Sequence, residues 1–199
     1  MTDSDELARL LRERRDAGTH RAEVDAAIFA RFGRTQAVMF TDLVGFSRIV
    51  DAFGILHFLQ LIQESETLFL PFVAQHGGRC LKRAGDSLLV VFDTPAPALA
   101  AAQAMVQATH SVNPGRPPEE RIEVCIGIGF GEVLCLDDNE VWGAEVNAAS
   151  KLGEDIARGG EILVTAAFRA ALPEAAFEEY GLLFGTRRVY RWAAATRTD

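Results

Sequence analysis

Two carboxylates stand where a folded chain can hold a cation. Asp42 follows a short run rich in apolar residues, Gln36 to Thr41, and precedes Leu43-Val44-Gly45-Phe46-Ser47, where a helical stretch begins. Asp86 closes Arg83-Ala84-Gly85-Asp86, the turn of a hairpin signal. Carboxylates at strand ends can hold divalent cations, and the amides of a turn at a helix N-terminus, here Val44 to Phe46, can approach phosphate oxygens. Taken singly, each aspartate also has a plain explanation, because Asp is favoured at helix caps and turns. Asn147 and Lys151 lie four residues apart in a helical pattern and so share a face, which lets both address one ligand. Taken alone, Lys82 reads as a solvated strand residue and Glu140 as a turn residue.

Other chemistries find no support. The four histidines (His20, His57, His76, His110) form no H-x-x-x-H or H-E-x-x-H pattern, which argues against a zinc hydrolase. No G-x-S-x-G elbow and no G-x-x-x-x-G-K-[ST] loop is present. Gly127-Ile128-Gly129-Phe130-Gly131 lacks the G-x-G-x-x-G spacing and sits inside a strand-like run, so it is not a dinucleotide fingerprint. The three cysteines (Cys80, Cys125, Cys135) show no C-x-x-C spacing, which suggests neither a disulfide framework nor a zinc site and fits a reducing compartment.

The elements that must position these residues follow from hydrophobic periodicity. Asp5 to Phe32 reads as two short helices broken at Gly18-Thr19, with a sparse stripe of Leu7, Leu10, Leu11, Val24, Ile28 and Phe32. That segment carries no tight polar cluster and is expected to pack or to dimerise, with regulatory input left open. A buried strand over Gln36–Thr41 is followed by a long helical stretch, Ser47 to His76, expected to bend near Gly54 or Pro71. Strands at Arg79–Lys82 and Ser87–Phe92 flank the Gly85 turn. A helix over Ala98–His110 comes next. Ile122 to Leu136 reads as a long strand or bent hairpin, with Asp137-Asp138-Asn139 as a turn. Then come a helix over Val146–Ala157, a strand at Ile162–Thr165, a helix around Ala166–Leu172 and two weak strands, Phe177–Leu183 and Arg187–Trp192. The order β-α-β-β-α-β with added αβ material is that of an α+β, ferredoxin-like core.

Composition narrows the function class. A chain of 199 residues fits one ordinary domain with a short appendage, divided here as 1–33 helical, 34–194 the main domain and 195–199 a tail. Twenty Lys and Arg against 28 Asp and Glu give a net charge of -8, which argues against a broad surface for DNA or RNA, so a polyanionic ligand needs a local basic patch or metal ions. No apolar run reaches signal-peptide or membrane-span length, and the expected location is cytoplasmic.

In their order and spacing, Phe40-Thr41-Asp42-Leu43-Val44-Gly45-Phe46 and Lys82-Arg83-Ala84-Gly85-Asp86 resemble the class III nucleotidyl cyclases. The resemblance continues through Ile126–Val133, Trp142–Asn147, Ala149–Leu152 and Gly160–Thr165, and covers about Thr35 to Tyr190. It implies a homodimer with two active sites at its interface. In that family Asp42, Asp86 and the Leu43 carbonyl would hold two Mg2+ or Mn2+ ions on one subunit, with Val44, Gly45, Phe46 and Ser47 against the phosphates. The other subunit would supply Lys82 and Glu140 to the base, Asn147 to the ribose and position 151 to the α-phosphate. A cation donating to adenine N1 and a carboxylate accepting from the 6-amino group complement adenine, which favours ATP.

Two positions depart from the family pattern. Lys151 stands where the family has an arginine, keeping the charge but losing the planar fork. Leu182-Leu183-Phe184-Gly185 replaces the usual Lys-Gly-Lys-Gly triphosphate contact, for which Arg187, Arg188 or Arg48 are the alternative sources of charge, although the two former fit better on the solvent face of a strand. The expected activity is conversion of ATP to 3',5'-cyclic AMP and pyrophosphate. The alternatives are a cyclase for another nucleoside triphosphate and a non-catalytic nucleotide-binding or dimerising signalling module.

Overall fold

The computed structural model describes residues 2–136 and 140–193, apart from the side chains of Phe46 and Ser47; the expected turn at Asp137-Asp138-Asn139 and the tail fall outside the described residues. Helices α1 (Asp3–Asp16) and α2 (Arg21–Phe32) precede strand β1 (Gly33–Leu43). Next come α3 (Phe46–Phe53), α4 (Ile55–Gln75), the hairpin β2 (Arg79–Ala84) and β3 (Ser87–Phe92), and α5 (Pro95–Val112). Strands β4 (Val124–Leu136) and β5 (Glu140–Trp142) lead into α6 (Ala144–Ser150), whose axis continues as a π-helical turn over Lys151–Ile156. β6 (Ile162–Thr165), α7 (Ala166–Ala171), β7 (Phe177–Leu183) and β8 (Arg187–Trp192) follow.

Among the described residues the strands form one sheet in the order β2-β3-β1-β4-β6-β8-β7, with β5 paired to β4. The first four, joined by antiparallel pairings, are the ferredoxin-like unit, and β6 extends it in parallel beside β4. Val124–Leu136 is one strand rather than a bent hairpin, because β1 pairs with it from Leu43↔Val124 to Gly33↔Leu134. The long helical stretch breaks at Gly54, whose φ of +85° glycine adopts at little cost, and runs on through Pro71. α5 starts three residues before the expected Ala98, because Pro95 fits the first helical turn, where its missing N–H costs nothing.

The main core lies between one face of the sheet and helices α4 and α5. Phe58, Phe69, Phe92 and Met105 are fully buried there, each contributing roughly 1.5 to 3 kcal/mol. On the opposite face Val38, Val91, Val133, Val141 and Val146 form a smaller cluster under α6. α1 and α2 pack together through Leu10, Val24, Ile28 and Phe32 and rest on Leu136 at the end of β4. Among the described residues no helix is long and apolar enough to cross a membrane.

Candidate active site

The β1–β3 pairing brings the two aspartates to one end of the sheet. Thr41 is paired with Leu88, and one residue further on the Ser87 hydroxyl donates to Asp42 Oδ1 at 3.2 Å. Asp86 sits in the β2–β3 turn, which Gly85 makes with a φ of +63°. Burial, then the Asp86 charge, pushes the Asp42 carboxyl up to about 6, with Glu154 adding to the rise and the Ser87 hydrogen bond opposing it. Burial, with a contribution from Glu154, also raises Asp86. Both carboxyls are thus more readily protonated than in water, chiefly through burial, and a divalent cation bound beside them would offset the repulsion that Asp42 feels. Aspartate oxygens and a backbone carbonyl such as that of Leu43 are hard donors of the kind that suits Mg2+ or Mn2+. Among the described residues no group of three or more His, Cys, Asp or Glu is placed to hold a metal ion without further ligands.

After Asp42 the chain turns through Gly45, at φ +97°, into α3. Its expected role needs one correction: the Val44 amide donates to the Glu123 carbonyl at 3.0 Å and is not free for a phosphate. The amides at the start of α3, Phe46 and Ser47, remain in the turn of the helix that has no intrahelical acceptors. Cys125, paired with Asp42 across β1 and β4, has its thiol pushed up to about 12 by burial and the nearby carboxylates, so it is no nucleophile.

Lys82 and Glu140 lie 58 residues apart in sequence, and the fold brings them to one cleft of about 470 Å³, lined also by Leu81, Leu89, Val141 and Trp142. A bulge between Cys80 and Lys82 in β2 shifts the register so that Lys82 faces Leu89. Glu140 opens the short strand β5, opposite Leu136, instead of lying in a turn. Pairing with β4 outweighs the weak local signal of three residues.

Asn147 is exposed on α6, and Lys151 stands one turn on, where the α-helix widens into the π turn. The Lys151 ammonium pairs with Asp155 at 2.7 Å, and both side chains are about half exposed. Arg187, whose side chain is partly exposed, pairs with the buried Glu145 and donates to the Ala144 carbonyl at 3.1 Å. Arg188 lies 3.6 Å from Glu179, and Arg48 is exposed beside Gly45.

Sequence reasoning missed what seats α6. A Cβ at Gly127 would lie 2.2 Å from the Ala149 carbonyl oxygen and 2.3 Å from the Gly153 nitrogen, and one at Gly153 would lie 2.8 Å from the Phe40 carbonyl oxygen. The glycines of β4 therefore let the helix backbone lie against the strand backbone. Three glycines at alternate positions of a strand are the signal that could have shown it. Glu145, inside the Trp142–Asn147 motif, and Glu154, near both aspartates, left no such mark.

The described architecture is shared with known proteins. A crystal structure of an adenylate/guanylate cyclase/hydrolase from Silicibacter pomeroyi is 30% identical, superposes with a TM-score of 0.69 and covers 82% of this chain and 99% of that one. An adenylate cyclase of Streptomyces coelicolor is 34% identical over 140 residues, 70% of this chain and 34% of its own length. A putative adenylate cyclase 3 of Rhizobium meliloti is 29% identical over 132 residues, 66% of this chain and 22% of its own. The chain thus spans about a third or less of the length of these curated relatives. The model of the adenylate and guanylate cyclase catalytic domain matches residues 33–182, from the first strand to the end of β7, and the chain belongs to that family.

Proposed function

We propose that the chain is an adenylate cyclase that converts ATP to 3',5'-cyclic AMP and pyrophosphate at the interface of a homodimer. The observation that carries this reading is the cleft in which Lys82 and Glu140 meet. Its apolar walls can sandwich a purine, Lys82 can donate to adenine N1, and Glu140 can accept from the 6-amino group. Guanine presents a carbonyl and an N–H in the opposite order and suits this pair less well.

In this reading Asp42, Asp86 and the Leu43 carbonyl of one subunit hold two divalent cations. Such ions, when bound, acidify the ribose 3'-hydroxyl and neutralise the leaving phosphate oxygens. The chain's own residues supply binding and orientation. The first amides of α3 receive phosphate oxygens. Asn147 of the partner subunit fixes the ribose so that its 3'-oxygen lies in line with the α-phosphorus and the departing pyrophosphate. Lys151, once it releases Asp155, offsets the charge that builds on the α-phosphate. An exposed pair of that kind is worth only about 0.5 kcal/mol, so its exchange for phosphate costs little.

The test is incubation of the purified protein with ATP, GTP, CTP and UTP and Mn2+ or Mg2+, with products separated by chromatography beside Asp86→Ala. Cyclic AMP and pyrophosphate from the unmutated protein alone are expected. A second reading, the non-catalytic signalling module, draws on the engagement of Lys151 by Asp155 and of Arg187 by Glu145. Metal-dependent nucleotide binding with no cyclic product from any nucleotide would favour it.

A further inference from the structure

Glu145 lies two residues before Asn147 and is a nearly buried acidic side chain, with 9% of the residue exposed. Its Oε2 accepts from the Phe130 amide at 3.2 Å and from the Thr165 hydroxyl at 2.7 Å, and its Oε1 accepts from the Arg187 guanidinium. The other arm of that guanidinium donates to the Ala144 carbonyl at 3.1 Å. Donors from β4, β6 and β8 thus converge on the first turn of α6. Gly129 makes room for them, since a Cβ there would come 2.5 Å from the Glu145 carbonyl oxygen and 3.0 Å from its Oε2.

We propose that the Glu145–Arg187 pair is a positioning clamp that sets the rotation and height of α6, and with it the aim of Asn147 and Lys151. The inference rests on the adenylate cyclase reading for the identity of the reaction. α6 has seven residues, no side-chain cap on its N-terminus, and a π turn immediately behind it. Intrinsic propensity cannot hold so short a helix in one orientation. A carboxylate that receives donors from three strands can, because each hydrogen bond fixes a different direction and the low local dielectric strengthens all of them. Arg187 directly follows the β7–β8 turn, so the basic residue nearest the missing triphosphate lysines is committed to the helix rather than to a phosphate. Asp42, Asp86, Lys82 and Glu140 lie on other elements. Loss of the clamp should therefore spare substrate affinity and strike the step that depends on the alignment of the ribose oxygen.

The experiment compares Arg187→Gln, Arg187→Lys and Glu145→Gln with the parent, at a temperature where circular dichroism shows each folded. Arg187→Gln is expected to lower kcat roughly tenfold to a hundredfold with KM for ATP within about threefold, as for a small misplacement of a reacting group. Arg187→Lys should restore a part of it. In an Asn147→Ala, Lys151→Ala background Arg187→Gln should cost less than about threefold more, because both groups that the clamp aims are already gone. A general loss of folded protein would instead multiply the two effects. Full kcat in Arg187→Gln, or costs that multiply, would overturn the clamp. Amide hydrogen exchange supplies a readout without turnover: α6 amides should lose protection in Arg187→Gln while β1 and β3 keep theirs. If the parent forms no cyclic product, the cyclase reading falls, and the exchange pattern alone decides the clamp, with unchanged α6 protection overturning it.

Discussion

Asp42→Asn should stabilise the metal-free protein while abolishing its activity. Burial and Asp86 raise the Asp42 carboxyl from its ordinary 3.8 to about 6, so the folded state holds a proton that the unfolded chain has already released. Stability therefore falls as pH rises from about 4 to about 6, and above 6 the whole cost of the buried charge is present. Two units at 1.36 kcal/mol would amount to about 3 kcal/mol for a fully enclosed group. Asp42 is only half-buried, and solvent screening reduces this to roughly 1 to 1.5 kcal/mol. Asparagine keeps the acceptor that the Ser87 hydroxyl uses and carries no charge. Thermal unfolding in chelator at pH 8 should give a Tm about 2 to 6 °C above that of the parent, a gain that shrinks as the pH is lowered to 4. Mn2+ should then raise the Tm of the parent and leave Asp42→Asn unmoved. An Asp42→Asn protein equally or less stable at pH 8, or a gain that persists unchanged at pH 4, would refute the account of the carboxylate pair.

Gly127→Ala places a methyl 2.2 Å from the Ala149 carbonyl and should cost at least about 2 kcal/mol in urea unfolding, with α6 displaced from β4. With residue 151 at the α-phosphate as proposed, Lys151→Arg supplies a planar fork there and should raise kcat about threefold to tenfold in a steady-state assay with ATP. If Lys82 reads adenine N1 as proposed, Lys82→Glu should lower kcat/KM for ATP at least about tenfold while improving the ratio of GTP to ATP turnover, measured with the two nucleotides in competition.

Where burial imposed a period, the elements were legible before the structure. Ile162–Thr165, Phe177–Leu183 and Arg187–Trp192 coincide with the observed strands, and the break between α1 and α2 falls at Gly18-Thr19 as expected. The pairing of Asp42 and Asp86 at one sheet end follows from a strand, a hairpin and the ferredoxin-like order. β5 was missed because three residues carry no period, and only its pairing with β4 makes it a strand. The π turn was missed for a different reason. Lys151–Ile156 has an ordinary helical pattern, and the widening reflects the seating of Gly153 against Phe40 and Gly127, a contact made across long sequence separations. The ion pair of Arg187 left no local mark, because its partner Glu145 lies 42 residues earlier on a helix that closes over the strand.

The two departures from the family pattern have one electrostatic consequence. Most basic residues that could have met a triphosphate directly have a protein partner or a distant post: Lys151 holds Asp155, Arg187 holds Glu145, Arg188 lies by Glu179, and Lys82 lines the cleft with Glu140, while Arg48 stands exposed beside Gly45. Asp42, Asp86 and Glu154 meanwhile repel one another and any phosphate that approaches. A like-charge contact at about 4 Å would oppose binding by about 1 to 4 kcal/mol, according to its exposure. A chain with this arrangement presents an acidic end to a polyanion. In the cyclase reading the protein's contribution is then mainly geometric, with the sheet register setting the aspartates and the glycine-seated α6 setting Asn147 and Lys151, while most of the charge neutralisation falls to cations held between carboxylates and phosphates and Lys151 supplies the rest.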